Sequence, residues 1–260
     1  MMEHSGHDVA KLLSLWEGFE DSMGWQRKDL GRAGDFPVFA LLNERASRGE
    51  AGGLYISTGV HGDECAPPWA LLNWMNSHPE ILTEVPLVLI PCFNPVGLVE
   101  NTRSDGEGID LNRNFQNREL PLIAAWQDFL AGRKFRMALN LHEDYDAAGI
   151  YLYEIADDGS PGDSFLEACQ ELIPRETAES VDGSDFENGL LRHDPDKEDL
   201  QRIVEEDLGG GMPEALYLYL NHTRNSFTFE TPSELDLDRR IVTHHRFLDS
   251  VAAYLIESGG

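Results

Sequence analysis

The sequence predicts a three-layer α/β/α domain built on a central mixed, mostly parallel, twisted sheet. Short apolar runs typical of strands alternate along the chain with longer segments in which apolar residues recur at helical spacing. Several of the strand-like runs are continuously apolar, as expected for strands that are covered on both faces. With 260 residues, of which 41% are hydrophobic, the chain can bury one sizeable core. We therefore expect a single domain over residues 1–260.

The individual elements are predicted from local apolar patterns and from the turn residues between them. The predicted strands cover residues 36–42, 54–60, 87–93, 135–141, 150–155 and 226–231. The predicted helices cover residues 9–19, 120–130 and 235–256. A further helix is expected to begin at Pro67 and Pro68, because proline is tolerated in the first turn of a helix. The strand over residues 54–60 therefore leads through a short polar loop into a helix.

Residues 175–207 differ from the rest of the chain because they carry many acidic and few apolar side chains. Three consecutive glycines, Gly209 to Gly211, follow this segment and could act as a hinge. We expect an acidic excursion at about residues 175–213. It is either a lid or, in the simpler interpretation that we prefer, a solvated loop with a short exposed helix.

The charge of the chain excludes two classes of partner. The 47 Asp and Glu residues outnumber the 20 Lys and Arg residues and give a net charge of -27. A surface of this sign repels the phosphates of nucleic acids and of anionic membranes. We expect neither nucleic acid nor a membrane as a partner.

The cysteines and the N-terminal residues predict a cytoplasmic protein. Cys65, Cys92 and Cys169 are too few and too scattered for a disulfide framework, which indicates a reducing compartment. Residues 1–10 are polar and lack the apolar stretch of a signal peptide. The apolar run over residues 85–93 is too short to span a bilayer.

The first candidate for chemistry is the pair His61 and Glu64, whose spacing can direct an imidazole and a carboxylate at one metal ion. With 9 His and 47 acidic residues, about 1.6 His-x-x-acid pairs are expected by chance, and the chain has two. Only the first follows a predicted buried strand and precedes a helix, at the sheet edge where α/β proteins bind ligands. The second, His193 with Asp196, falls in the acidic excursion, so we set it aside.

Three more groups follow predicted strands or turns and can reach the same edge. His142 ends the strand over residues 135–141 and is a candidate third ligand, or else a structural histidine paired with Glu143. The polar string at residues 110–115 holds one arginine suited to gripping a carboxylate, although such a string can also be a simple turn. Glu230, in the strand over residues 226–231, is a candidate base or a surface acid.

In this order, the motifs resemble those of the zinc carboxypeptidases, the M14 metallopeptidase family. That family pattern runs His-x-x-Glu, an Asn-Pro turn with a downstream arginine, Asn-Arg, His and Glu. The matching residues here are His61, Glu64, Asn94, Pro95, Arg103, Asn112, Arg113, His142 and Glu230. Five motifs in family order are far harder to obtain by chance than one His-x-x-Glu pair.

The resemblance implies a mechanism and a role for each matching residue. His61, Glu64 and His142 would hold one Zn²⁺ per chain, which activates a water molecule and polarises the scissile carbonyl. Glu230 would take the proton of that water and pass it to the leaving amine, while Arg103 would stabilise the developing oxyanion. The carboxylate of the substrate would bind to two further residues, Asn112 and Arg113.

The chain also departs from the digestive carboxypeptidases, which carry a tyrosine on a mobile loop. Tyr217 and Tyr219 lie too near Glu230 in sequence, in a run that looks like helix or strand, so we assign neither to that role. The short chain and the His-Gly-x-Glu form are more similar to bacterial members that cut murein peptides. They are also similar to the succinylglutamate desuccinylase and aspartoacylase deacylases.

Three acids follow the third candidate ligand directly and bear on the choice of substrate. They are Glu143, Asp144 and Asp146. We hypothesise that at least one of them lines the pocket and favours a substrate with a free amine. The alternative is that they only orient His142.

Three functions are consistent with these residues. The first is a zinc-dependent carboxypeptidase acting on small peptides, and the second is an N-acyl amino acid deacylase with the same site. The third is a non-catalytic binding protein on the same fold. The third is the weakest, because no expected ligand or base is missing from the sequence.

Overall fold

An eight-stranded mixed sheet forms the centre of the computed structural model, which describes residues 6–77, 81–156, 160–177, 180–181, 184–185, 187–193, 200, 204 and 209–258. Its strands are β1 (Gln26–Ala33), β2 (Phe36–Leu42), β3 (Gly53–Thr58), β4 (Leu87–Ile90), β5 (Phe135–Asp144), β6 (Tyr151–Ala156), β9 (Leu190–His193) and β10 (Asn225–Pro232). Two further strands, β7 (Ser180–Val181) and β8 (Ser184–Asp185), pair only with each other.

The strand order of the sheet is β1-β2-β4-β3-β5-β10-β6-β9. The pairs β4 with β3, β3 with β5, and β5 with β10 are parallel, whereas β1 with β2, β2 with β4, and β10 with β6 are antiparallel. At the other end of the sheet, β9 runs parallel to β6. The interior of the sheet is therefore parallel, as predicted, and the antiparallel pairs lie towards its sides.

Helices cover both faces of the sheet and confirm the predicted three layers. They are α1 (Val9–Met23), α2 (Glu44–Ser47), α3 (Ala66–Ser77), α4 (Ile81–Glu84), α5 (Pro95–Glu100), α6 (Pro121–Leu130), α7 (Gly162–Cys169), α8 (Glu214–Asn221) and α9 (Leu237–Glu257), with a 3-10 turn at Leu111–Arg113. Helices α1, α3, α7 and α9 contribute to one hydrophobic cluster, and α6 and α8 contribute to another.

Alternation along the central strands divides the core between the two faces. In β3, Leu54 and Ile56 belong to the cluster under α3 and α9, while Tyr55 belongs to the cluster under α6. All six residues of β3 are buried, because both of its faces are covered. This double burial explains why the strand carries three consecutive apolar residues, Leu54 to Ile56, and no charged side chain.

The functional residues meet because the central strands are parallel. Strands β3, β5 and β10 all end at the same edge of the sheet. In the ladder between β5 and β10, Glu230 is the partner of His142, and on its other side Glu230 is the partner of Tyr151 in β6. The loop after β3 brings His61 and Glu64 to this edge as well.

Some elements differ from the sequence prediction. The sequence predicted each of the six strands over residues 36–231 within a few positions, but it gave no strand at β1 or β9 and no helix at α7, and it left the run at α8 open between helix and strand. Strand β1 is mostly exposed and therefore lacks the apolar pattern of a core strand. Nearly half of the predicted acidic excursion, including Asp196 and the acids at 205–207, lies outside the described residues, so the lid and the single-domain boundary stay predictions.

None of the helices in the described part of the chain combines the length and the apolarity needed to cross a bilayer.

Candidate active site

The centre of the site is a buried cluster of His61, Glu64 and His142. Their candidate ligand atoms all lie within 4.8 Å of one another. The Nδ1 atom of His61 is 2.5 Å from Oε1 of Glu64, and the Nδ1 atom of His142 is 2.8 Å from Oε2 of the same carboxylate. Two imidazoles and one carboxylate form a donor set that suits Zn²⁺ and leaves room for a further ligand.

The loop that carries His61 and Glu64 depends on a close approach between two backbones. A Cβ atom on Gly62 would lie 1.9 Å from the carbonyl carbon of Gly97, so only glycine fits between the two ligands. Gly97 is held in turn by Asn94, whose Oδ1 accepts a hydrogen bond of 2.8 Å from the Gly97 N–H. The Asn-Pro turn of the sequence thus supports the metal loop.

The charges within the cluster favour an ionised Glu64 between the two imidazoles. Burial alone would raise the pKa of Glu64, but His142 and His61 lower it well below its usual range. Burial acts to lower the pKa of His61, yet the charge of Glu64 and the hydrogen bond with Asp110 raise it to about 9. The cluster therefore offers an anionic oxygen between two basic nitrogens.

Asp110 is a residue whose role the sequence did not predict. Its Oδ1 lies 3.3 Å from Nε2 of His61, and its Oδ2 accepts a hydrogen bond of 3.0 Å from Nε of Arg103. Asp110 also caps the turn at Leu111–Arg113 by accepting from the N–H of Asn112. It thus orients one candidate ligand and Arg103 together, a supporting role that metal-site carboxylates commonly have. The polar string in the sequence was the only signal for it.

Arg103, Asn112 and Arg113 line one side of the cavity in front of the cluster. The Nη1 atom of Arg103 is 3.4 Å from Nδ1 of His61, which puts its guanidinium beside the candidate metal position. The Oδ1 atom of Asn112 accepts a hydrogen bond of 3.0 Å from the N–H of Glu214, at the start of α8. Asn112 therefore helps to fix α8 as well as lining the cavity.

Glu230 projects from β10 into the same cavity and is 8% exposed. Its Oε2 atom is buried and has no hydrogen-bond partner among the described residues. Burial raises the pKa of Glu230 well above its usual value, and His142 opposes this rise. A buried carboxylate with an unsatisfied oxygen and a raised pKa is the expected form of a general base or acid.

The cavity has a volume of about 220 Å³. Its walls are formed by residues of β5, β6, β9, β10 and α8 and of the neighbouring loops. Besides the predicted residues it is lined by Glu143, Asp144, Tyr151, Tyr153, Ile155, His193, Pro213, Ala215, Leu216 and Thr228. His193, which the sequence placed in the polar excursion, also lines the cavity, because it ends β9 and β9 pairs with β6. The signal that could have found it is the apolar pair Leu190 and Leu191 just before it.

The acids after His142 have different positions. Asp144 lines the cavity, and Asp146 is exposed. Glu143 also borders the cavity, but its carboxylate accepts hydrogen bonds from the Ala66 N–H and from Arg240, on the side away from Asp144. Tyr217 and Tyr219 lie on α8 and do not line the cavity, in agreement with their exclusion.

Comparisons with known proteins agree with this geometry. Residues 50–153 match the family model of the succinylglutamate desuccinylase/aspartoacylase catalytic domain, a span that includes every predicted site residue except Glu230. The resemblance to the M14 metallopeptidases and these deacylases is confirmed. No curated protein matches the sequence significantly.

Solved structures share the M14-like fold over nearly the whole chain. A candidate metallopeptidase from Shewanella denitrificans is 20% identical with a TM-score of 0.81, and the match covers 96% of this chain and 91% of that one. One from Shewanella amazonensis is 24% identical with a TM-score of 0.80, over 96% and 94% of the two chains. A metallo-carboxypeptidase from Burkholderia cenocepacia is 14% identical with a TM-score of 0.68, over 96% of this chain and 69% of that one. The chain therefore has a hydrolase fold of the metallopeptidase type.

Proposed function

We propose that this protein is a zinc-dependent hydrolase that cleaves an amide bond next to a free carboxylate, acting as a metallocarboxypeptidase on small peptides. The observation that carries the proposal is a single cavity that joins the buried His61–Glu64–His142 cluster to the unsatisfied oxygen of Glu230. A donor set for a metal and a buried carboxylate beside it are the parts that metal-assisted hydrolysis needs.

His61, Glu64 and His142 would hold the metal ion. Their two nitrogens and one carboxylate match the ligands that catalytic zinc sites use, and the cluster lies against the cavity rather than inside the core. Zinc bound there would supply a Lewis acid and a water of lowered pKa. One ion per chain is expected.

Glu230 would move the proton in this reaction. Its Oε2 is a free acceptor in the cavity, so it can take a proton from the attacking water and later donate it to the leaving amine. The burial that raises the pKa of Glu230 helps it to keep that proton between the two steps. Arg103, held by Asp110, would stabilise the negative charge that develops on the carbonyl oxygen.

Arg113 and Asn112 would bind the carboxylate of the substrate. The Arg113 guanidinium is a planar fork that can hold a carboxylate through two hydrogen bonds. Its Nη1 donates to the backbone oxygen of Asn112 at 3.1 Å, which limits the orientations of the fork. A carboxylate held here would place the neighbouring amide towards the metal cluster in the same cavity.

The second candidate function is removal of an acyl group from an N-acyl amino acid. The match of residues 50–153 to the desuccinylase/aspartoacylase catalytic domain favours it. The roles of the metal ligands, Glu230 and Arg103 would be unchanged, and only the group on the acyl side of the bond would differ.

A cytoplasmic location is part of the proposal. Cys65, Cys92 and Cys169 are free and buried, so the fold contains three thiols and no bond between them. This is the usual state of cysteines in a reducing compartment.

The test combines metal content with hydrolysis of a panel of peptides and N-acyl amino acids. We expect about one zinc per chain, thermal stabilisation when zinc is added back to chelator-treated protein, and turnover that falls roughly 100-fold or more in Glu230→Gln with zinc retained. The matched control is Glu234→Gln, an exposed acid four residues along the chain, which should keep full activity. Absence of bound zinc together with absence of any turnover would instead favour the non-catalytic binding protein.

A further inference from the structure

The charged groups around the cavity can be sorted by whether the protein itself neutralises them. Glu64 is paired with two histidines, and Arg103 is paired with Asp110. Glu143 is paired with Arg240 at 2.7 Å. These groups have internal partners of opposite charge and need none from a ligand.

Apart from Glu230, which the proposed reaction uses as its base, two charges of opposite sign remain on the cavity wall. Neither Arg113 nor Asp144 forms an ion pair with any of the residues that the structure describes, and both line the cavity. Asp144 is only partly buried, so a ligand can reach it. A cavity with one unmatched cation and one unmatched anion is complementary to a ligand that carries both charges.

Asp144 is held in place by neutral groups. The hydroxyl of Tyr151 donates to Oδ2 of Asp144 at 2.8 Å, and the N–H of Asp146 donates to Oδ1 at 2.9 Å. An ionised carboxylate has about four acceptor sites, so these two bonds fix its orientation and leave others for a donor in the cavity. Tyr151 is itself buried beside Glu230, which places the Asp144 subsite next to the proposed base.

Strand alternation explains why Asp144, and not Glu143, is available. Residues two apart in a strand share a face, so Asp144 lies on the same face of β5 as His142, while Glu143 lies on the other face. On that other face, the carboxylate of Glu143 is already bonded to Arg240, Ala66 and Thr231. The two neighbouring acids thus differ in what can bind to them.

We propose that the cavity binds substrates that carry a protonated amine as well as a carboxylate, with the carboxylate at Arg113 and the amine at Asp144. This inference rests on the proposed hydrolase function and deepens it. An ammonium group donates charge-assisted hydrogen bonds to a carboxylate, and these are stronger where water is partly excluded. Capping the amine with an acyl group removes this interaction. Short peptides with a free amine are therefore the substrates, in preference to N-acyl amino acids without one.

The amine can come from two sources, a free α-amino terminus or a lysine-like side chain. A substrate panel separates them: a dipeptide and its N-acetyl form differ only in the α-amine. N-acetyl dipeptides that end in lysine or in norleucine differ only in the side-chain amine. We expect the ratio of kcat/KM within one of these pairs to favour the amine by about tenfold or more.

Two variants and a control test the residue assignment. Asp144→Asn should reduce that ratio to near one, because the side chain keeps its shape and loses its charge. Tyr151→Phe should reduce the ratio by less, since Asp144 keeps its charge but loses one bond that orients it. Asp146→Asn, an exposed acid two residues away, should leave the ratio as in the wild type.

The outcomes distinguish this inference from the proposed function. If the panel is hydrolysed with no preference for an amine in either pair, the inference is overturned and the proposed hydrolase function stands. A preference that persists in Asp144→Asn has the same meaning. If nothing on the panel is hydrolysed, calorimetry with zinc-loaded protein still decides. Free lysine should bind more tightly than Nα,Nε-diacetyl-lysine, and Asp144→Asn should abolish the difference. Equal binding of both compounds to the wild type would overturn the inference.

Discussion

At the ends of β5 and β10, the buried carboxylates on the two faces of the sheet differ in their hydrogen bonds. Under α9, Glu143 accepts hydrogen bonds from the Ala66 N–H at 2.9 Å, from Arg240 at 2.7 Å and from the Thr231 hydroxyl at 3.2 Å. On the cavity face, Oε2 of Glu230 has no partner among the described residues. Buried polar atoms are normally satisfied, so the unpaired oxygen of Glu230, a residue that lines the cavity, is a place where a ligand is expected.

The hydrogen-bonded carboxylate of Glu143 also helps to position the cavity face. Ala66 follows Glu64 by two residues, Glu143 follows His142, and Thr231 follows Glu230. One carboxylate under α9 therefore bonds to segments that carry two candidate metal ligands and the proposed base. We expect substitutions on this face to act on stability and those on the cavity face to act on function.

The largest expected effect is that of Arg240→Met. Burial raises the pKa of Glu143 and Arg240 offsets part of that rise, so removal of the arginine leaves a buried carboxylate without its cation. We expect a loss of about 3 kcal/mol in the free energy of unfolding at pH 8, measured by urea denaturation. The loss should shrink as the pH falls, because a carboxyl whose pKa is raised in the folded state becomes neutral there and costs less.

Two other substitutions sharpen this test. Arg246→Met changes an exposed arginine on the same helix and should cost less than about 0.5 kcal/mol. Arg240→Lys keeps the charge and should recover part of the stability. Equal small losses of stability for Arg240→Met and Arg246→Met would show that the ion pair between Arg240 and Glu143 does not stabilise this face of the sheet.

The sequence predicted the cavity face better than the face under α9. His61, Glu64, His142 and Glu230 stand out in the sequence because polar residues at the ends of apolar runs are exceptions to a local pattern. The bond between Glu143 and Arg240 joins residues 97 positions apart, and no local pattern indicates it.

Other contacts were hidden for the same reason. Glu214 is fully buried and accepts from the hydroxyls of Tyr55 and Ser57, which lie more than 150 positions earlier in the chain. Its position in the sequence is that of an ordinary acid in the first turn of a helix. The apolar pair Leu190 and Leu191 indicates a short strand, but its pairing with β6, which brings His193 to the cavity, is decided by tertiary structure. Local sequence patterns therefore indicate where the strands end. The residues that hydrogen-bond to these strand ends are brought there by long-range contacts, which the patterns do not show.

A smaller effect is expected from His244 on the pH dependence of stability. This residue of α9 is fully buried, with Nε2 3.0 Å from the Thr231 hydroxyl and its ring edge-on to Phe229. Burial, assisted by Arg240, lowers the pKa of His244 from its usual 6.5 to about 3. Below pH 6.5 the unfolded chain takes up a proton that the folded chain does not. This histidine therefore reduces stability as the pH falls from 6.5 towards 3, by about 1.4 kcal/mol per pH unit.

His244→Gln should remove this dependence while keeping a donor for Thr231. The measurement is the free energy of unfolding between pH 7 and pH 5, and the variant should show the flatter curve although it is less stable at pH 7. Arg246→Gln, an exposed substitution on the same helix that removes no group titrating between pH 5 and pH 7, is the control and should keep the slope of the wild type. Parallel curves for the wild type and His244→Gln would mean that His244 is protonated in the folded state.

The smallest expected effect compares the two neighbouring acids directly. Asp144→Asn retains an oxygen for the Tyr151 hydroxyl and removes a charge that no described cation neutralises, so it should change the free energy of unfolding by less than about 1 kcal/mol. Glu143→Gln removes the charge that Arg240 neutralises and replaces one of the two acceptor oxygens by an NH2 group, which faces the Ala66 N–H if the remaining oxygen stays on Arg240 and Thr231; it should cost about 2 kcal/mol or more. Each substitution removes one negative charge, and the two positions are neighbours in the chain. Their effects on the net charge of the protein are therefore the same. Urea denaturation of the two variants in the same buffer therefore compares the faces of the sheet alone. If Asp144→Asn were as destabilising as Glu143→Gln, Asp144 would be a structural residue like its neighbour, and its place in substrate binding would be lost.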